Sequence, residues 1–284
     1  MHPYFFGPPE HQLFAVRHPA HIAARGHGVV ICYPWGHEYV NSLRGCRQLA
    51  ARLARLGFDV LRFEYYGTGD SAGSGEEISC RSCIEDVLRA TDELTSTCGV
   101  RSVSLVGVRL GATFAALAAG LRDAVEGLVM WEPVAAGQAY LAALRARHAA
   151  FLLSEADGGR SQQAFSGPRE IMGFPLPTAM AAELDALDLR SITRPPAAHV
   201  LLLGGEHDEA STAQRALAAH LGALGSDFAY RLLPGQGIWA REVGQERALV
   251  PNGILEAMLE WFSNRWAGGN TSSRTVSLNS ATNL

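Results

Sequence analysis

Short apolar runs alternate with longer amphipathic stretches along this chain. The runs at 28–32, 59–63, 102–106, 127–131 and 199–203 are brief and almost continuously apolar. That pattern predicts strands buried on both faces, as in a parallel sheet. Between them lie helical periods. Leu43, Cys46, Leu49, Leu53 and Leu56 recur at helical spacing over 42–56, and Gly57 stops the run. A second helix is predicted over about 79–97, with Ile84, Val87, Leu88, Thr91 and Leu94 on one face. Further helices are predicted at 138–151, 211–224 and 251–266, and a strand at 227–233. Two short strands, 3–6 and 12–17, flank a Gly-Pro-Pro-Glu turn. Strand–helix alternation implies an α/β architecture, a mostly parallel sheet with helices on both faces. Residues 133–195 break the rhythm, with one helix, a Gly/Ser/Gln loop at 157–167, and Pro175 and Pro177. The tail, 267–284, is polar and aperiodic and is predicted to be disordered.

Composition narrows the function classes. The chain has 284 residues, within reach of one large α/β domain over 1–266, and 48% are apolar, enough for a sizeable core. Net charge is −4 and no basic run exists, which argues against a nucleic-acid partner. All 24 cationic residues are arginine, which excludes lysine-base and Schiff-base chemistry. The five cysteines are irregularly spaced. Cys80-Arg-Ser-Cys83 has no companion at metal-ligand spacing, so neither a metal nor a cofactor is expected. The start, Met1-His-Pro-Tyr-Phe-Phe, lacks a charged segment followed by an apolar one, and no run reaches membrane-span length. A reduced, cytoplasmic protein is expected, with no membrane partner; a homo-oligomer stays open.

The chemistry should sit at the carboxyl ends of the strands. After the 102–106 strand comes Gly107-Val-Arg-Leu-Gly111 and a run of alanines. Strand, tight turn and small-residue helix form the setting of a nucleophile elbow, but its centre is Arg109. A guanidinium stays protonated and is no nucleophile. Other strand ends run into Tyr33-Pro-Trp-Gly-His-Glu-Tyr39, Glu64-Tyr-Tyr-Gly-Thr-Gly-Asp-Ser71, Trp131-Glu-Pro-Val134, Gly204-Gly-Glu-His-Asp208 and Leu233-Pro-Gly-Gln-Gly-Ile-Trp239.

These motifs together resemble the α/β-hydrolases over about residues 3–266, in particular a triad-deficient bacterial subgroup. That subgroup is similar to the hydrolases accompanying exosortase systems, or to those beside polyketide and nonribosomal-peptide assembly genes. The resemblance implies an α/β-hydrolase fold with a small helical cap at about 133–195. It implies that Trp35-Gly36 lies at the oxyanion loop and that Asp208, or Glu206, follows its strand where a triad acid belongs. The expected histidine position is Gln236, which cannot shuttle a proton near pH 7, and the last histidine, His220, precedes that strand. Two triad members are therefore absent.

Arg109 at a helix N-terminus opposes the helix dipole by roughly 0.3–1 kcal/mol, so an anion should accompany it. Glu38, Glu132 and Asp208 are placed at the same end of the sheet. Two readings stay open: a salt bridge plugging the old site, or a cationic anchor for a substrate carboxylate or enolate. As an anchor, Arg109 would work with Glu38, His37, Glu132 or Asp208 in acid–base or electrostatic catalysis. Trp35, Gly36, Leu110, Trp131, Glu132, Gln236 and Trp239 are the expected substrate-binding residues. The substrate would be a small molecule or a carrier-bound acyl intermediate, processed by elimination, cyclisation or acyl removal. The alternatives are a non-catalytic binding or scaffold protein, and a conventional esterase or thioesterase with a relocated nucleophile. Ser104 and Thr113 are the hydroxyls nearest the elbow, and neither position fits well.

Overall fold

The computed structural model describes residues 1–157, 170–205, 208–234 and 250–266. The expected disordered tail lies outside them.

Among the described residues, ten strands and seven α-helices form one sheet with its covering helices, plus a small hairpin. In chain order these are β1 (His2–Phe6), β2 (Leu13–His18), β3 (His27–Cys32), α1 (His37–Arg55), β4 (Asp59–Phe63), α2 (Cys80–Cys98), β5 (Ser102–Val108), α3 (Leu110–Ala119) and β6 (Val125–Trp131). Then follow α4 (Gly137–Asp157), β7 (Glu170–Ile171), β8 (Phe174–Pro175), α5 (Thr178–Asp185), β9 (His199–Gly205), α6 (Asp208–Gly222), β10 (Asp227–Leu233) and α7 (Asn252–Arg265). The main sheet has the order β1-β2-β4-β3-β5-β6-β9-β10. β1 and β2 pair antiparallel, as do β2 and β4, and all other pairs are parallel.

The strands β3, β4 and β5 are buried almost throughout because helices cover both faces. The crossover from β3 to β4 runs one way along the sheet; those from β4 to β5 and onward run the other way. Right-handed crossovers then put α1 on one face and α2 and α3 on the opposite face. α7 packs beside α1, and α2 packs against α3. The direction reverses between β3 and β5, and their carboxyl ends open a crevice of the kind in which α/β proteins bind ligands.

Local chemistry explains the boundaries. Ser79 caps α2: its hydroxyl accepts from Ser82 N, and Ser82 Oγ accepts from Ser79 N in return. Gly99, left-handed at φ 62°, ends that helix. The expected start of α1 at residue 42 is corrected to His37, because its first turn is polar and carries no apolar period. The segment between β6 and β9 holds α4, the β7–β8 hairpin and α5. Among the described residues no helix is long and apolar enough to cross a membrane.

Candidate functional site

The elbow is built from close backbone approaches. A Cβ on Gly107 would lie 2.2 Å from Ala112 Cα, and one on Gly111 would lie 2.2 Å from Tyr33 O. Only glycine lets α3 turn off β5 this tightly. Arg109, between them, takes φ 52° and ψ −120°. Its N–H donates to Trp131 O at 2.9 Å and its carbonyl accepts from Ala112 N at 3.0 Å, so the strained turn is held at both ends.

The Arg109 side chain crosses the crevice between β5 and β3. Its Nε donates to Glu38 Oε1 at 3.2 Å and its NH1 donates to Glu132 O at 3.2 Å. The other oxygen of Glu38 accepts from Tyr140 Oη at 3.0 Å. The Arg109 guanidinium carbon stands 5.7 Å from the Tyr140 ring centroid. The Glu38 side chain is 1% exposed and that of Arg109 is 18% exposed. Burial works against the guanidinium charge, yet Glu38, Tyr140 and Glu132 outweigh it and raise the Arg109 pKa. Burial, and then Glu38, push the Tyr140 phenol well above its ordinary value, so it remains a donor. Glu38 also occupies the first turn of α1, where a negative charge meets the positive end of the helix dipole.

His37 lies one residue earlier and faces Arg147 of α4, whose NH1 is 2.9 Å from His37 Nε2. A guanidinium only donates, so Nε2 is the acceptor and its lone pair is engaged. Tyr140 and Arg147 stand two turns apart on one face of α4. Neither was singled out in the sequence. The signal was Tyr140, Leu144 and Arg147 at helical spacing, but nothing local says which surface that face meets.

Of the other expected residues, only Glu132 joins Arg109 among the described ones. Glu132 is buried at the end of β6 with φ 43°, and its N–H donates to Leu203 O at 2.8 Å. Leu110 and Trp131 were expected to contact substrate; both side chains are buried in the core, where α3 packs on β5 and β6. Asp208 was expected in a loop after β9; it is the first residue of α6, and its side chain lies outside the described residues. Glu206, Gln236 and Trp239 also lie outside them.

Trp35 and Gly36 line a cavity of about 260 Å³, between the β3–α1 turn and the loop after β4. Arg109 is not among the residues that line it. Its wall also holds Tyr39, Glu64, Tyr65 and Phe174, which the sequence alone did not mark as a group.

Neither hydroxyl near the elbow is placed for attack. Ser104 is fully buried in β5 and pairs with His27 Nε2 at 2.8 Å, beneath Trp266, which stacks on His27 at 4.1 Å. Thr113 is fully buried and donates to Val134 O at 2.9 Å.

No family model and no curated protein matches this chain. Solved structures match it over nearly its whole length. Est1E from Butyrivibrio proteoclasticus, solved with ferulic acid bound, is 17% identical with a TM-score of 0.64, covering 92% of this chain and 98% of that one. An alpha-beta serine hydrolase homologue from Coxiella burnetii is 17% identical with a TM-score of 0.56, covering 93% and 96%. Alpha/beta hydrolase domain-containing protein 10 from mouse is 20% identical with a TM-score of 0.57, covering 93% and 98%. At such identities the likeness is one of architecture. The mostly parallel sheet, the elbow turn between β5 and α3 and these neighbours agree: the chain has the α/β-hydrolase fold.

Proposed function

We propose that this protein is a pseudohydrolase, which keeps the elbow as architecture and acts by binding rather than by acyl transfer. One observation carries the reading: Arg109, at the position where a serine hydrolase holds its nucleophile, is paired with Glu38, which Tyr140 holds from its other oxygen. A nucleophile position held by a guanidinium in a buried ion pair supports no acyl-enzyme. The burial of Ser104 and Thr113 weighs against a relocated nucleophile. The test is labelling with a fluorophosphonate probe, with adducts mapped by mass spectrometry. No serine is expected to react, and stoichiometric labelling of any one of them overturns the reading.

A second reading is an enzyme without a nucleophile in bacterial biosynthesis. It would process a small-molecule or carrier-bound acyl intermediate by elimination, cyclisation or acyl removal. Arg109 would anchor an anion, with Glu38, His37, Glu132 or Asp208 as acid–base partner. Backbone strain favours it: Arg109 at φ 52° and Glu132 at φ 43° are neighbours at two adjacent strand ends. Such strain costs roughly 1–3 kcal/mol per residue and gathers at functional sites. Arg109→Ala separates the readings through its effect on the melting temperature.

A further inference from the structure

The cavity beside Trp35 has a chemistry that the elbow does not share. Its volume is about 260 Å³, against roughly 150 Å³ for an engineered cavity that takes benzene. Five aromatic residues stand in its wall: Tyr33, Trp35, Tyr39, Tyr65 and Phe174. Pro34, Ile78 and Pro175 add apolar surface, and among the described residues no arginine or histidine lines it. Among the described residues, one formally charged side chain lines it, Glu64.

Glu64 is held firmly. One carboxylate oxygen accepts from the Tyr39 hydroxyl and the other accepts from Asp70 N at 2.6 Å. The loop closes on it so tightly that a Cβ on Gly69 would lie 2.0 Å from Glu64 Oε2. Gly69 adopts φ 55°, a conformation glycine takes without strain. Neutral donors orient this carboxylate, and among the described residues no cation pairs with it. Phe174 and Pro175, which form strand β8 of the β7–β8 hairpin, line the site; Pro175 Cγ approaches within 3.0 Å of where a Gly75 Cβ would stand.

A fixed, cation-free carboxylate in an aromatic wall opposes anions. It favours a positive charge that carries its own apolar surface, because ring faces and carboxylate attract such a group at little desolvation cost. We infer that this cavity is a binding site for a small organic cation, an alkyl- or aryl-substituted ammonium. The inference is independent of how Arg109 functions, since Arg109 does not line the cavity.

The experiment is a titration of the full chain with phenyltrimethylammonium, its neutral isostere tert-butylbenzene, and benzoate, followed by ligand-observed NMR. The cation is expected to bind with a Kd of about 0.1–1 mM, at least tenfold tighter than the isostere, and benzoate is expected not to bind. Glu64→Gln is expected to weaken the cation about tenfold and leave the isostere unchanged. Equal binding of cation and isostere, a preference for benzoate, no binding of the cation, or a Glu64→Gln chain that binds the cation as tightly as before each overturn the proposal. The isostere comparison needs no variant, so it stands even if Glu64→Gln does not fold. Fluorophosphonate labelling reports on reactive serines and not on cation binding, so failure here is distinguishable from failure there.

Discussion

Arg109 and Glu38 meet at 3.2 Å across the crevice where the direction of the sheet's crossovers reverses. Each sits at the start of a helix, Glu38 in the first turn of α1 and Arg109 at the N-cap of α3. The carboxylate suits its helix dipole and the guanidinium opposes its own, so the pair offsets an unfavourable charge with a favourable one. Tyr140 completes the arrangement from α4 by donating to the second Glu38 oxygen.

Removing Arg109 leaves a buried carboxylate without its cation. Arg109→Ala is expected to destabilise the protein by about 3 kcal/mol or more, as for other broken buried pairs. Glu38→Gln in the same chain should restore much of that loss. Arg109→Gly should be less damaging than Arg109→Ala by about 1 kcal/mol, because glycine tolerates the positive φ at this position. Thermal unfolding of the four chains checks this. An unchanged melting temperature in Arg109→Ala would instead favour an anchor for a ligand absent from the free protein.

The elbow glycines should be irreplaceable for steric reasons. An added methyl on Gly107 meets Ala112 Cα, and one on Gly111 meets the Tyr33 carbonyl, each at 2.2 Å. Backbone cannot move aside as a flexible side chain can, so Gly107→Ala and Gly111→Ala are each expected to cost about 3 kcal/mol or more. Chemical denaturation measures the cost. A loss below about 1 kcal/mol in either variant means that α3 can shift off β5.

Restoring a serine should not restore hydrolysis. Arg109→Ser supplies a hydroxyl but no base, because Arg147 occupies the lone pair of His37. Esterase activity toward a p-nitrophenyl ester is expected to stay at the level of the parent chain. Turnover more than about tenfold higher would reveal a general base already in place, since such a base contributes roughly 10²–10⁴-fold.

Acid should destabilise the fold through two buried histidines. Burial, helped by Arg62, lowers His18 to about 4, and burial lowers His27 to about 3. Arg62 Nε donates to His18 Nε2 at 3.1 Å, and His27 bridges Ser102 and Ser104 at 2.8 Å each. Both folded pKa values lie below the unfolded value near 6.5, so the unfolded chain takes up protons first. Stability is therefore full above about pH 6.5 and falls as pH drops toward 4, by ~1.4 kcal/mol per unit for each group. His18→Asn is expected to flatten this slope in denaturation series at pH 7, 6 and 5. A slope equal to that of the parent chain would show that His18 titrates normally.

The sequence by itself determined the sheet and the turn. Asp59–Phe63 was legible to the residue, because Gly57 ends the preceding helix and Val60, Leu61 and Phe63 form a short apolar cluster before the Glu64-to-Ser71 loop. The elbow was legible because Gly107 and Gly111 at that spacing admit few backbone paths. Arg109 at its centre was enough to set aside a serine nucleophile. The start of α1 was not legible: His37 and Glu38 are polar, carry no period, and are buried only because α3 and α4 bring Arg109, Tyr140 and Arg147 to them. Leu110 and Trp131 were placed at the site by position along the chain; their burial in the core depends on the layer packed above them and was not legible. The pairing of Arg109 with Glu38 belonged to tertiary structure for the same reason. Arg109 and Glu38 are 71 residues apart, and only the juxtaposition of two helix N-termini at one crevice makes their charges neighbours.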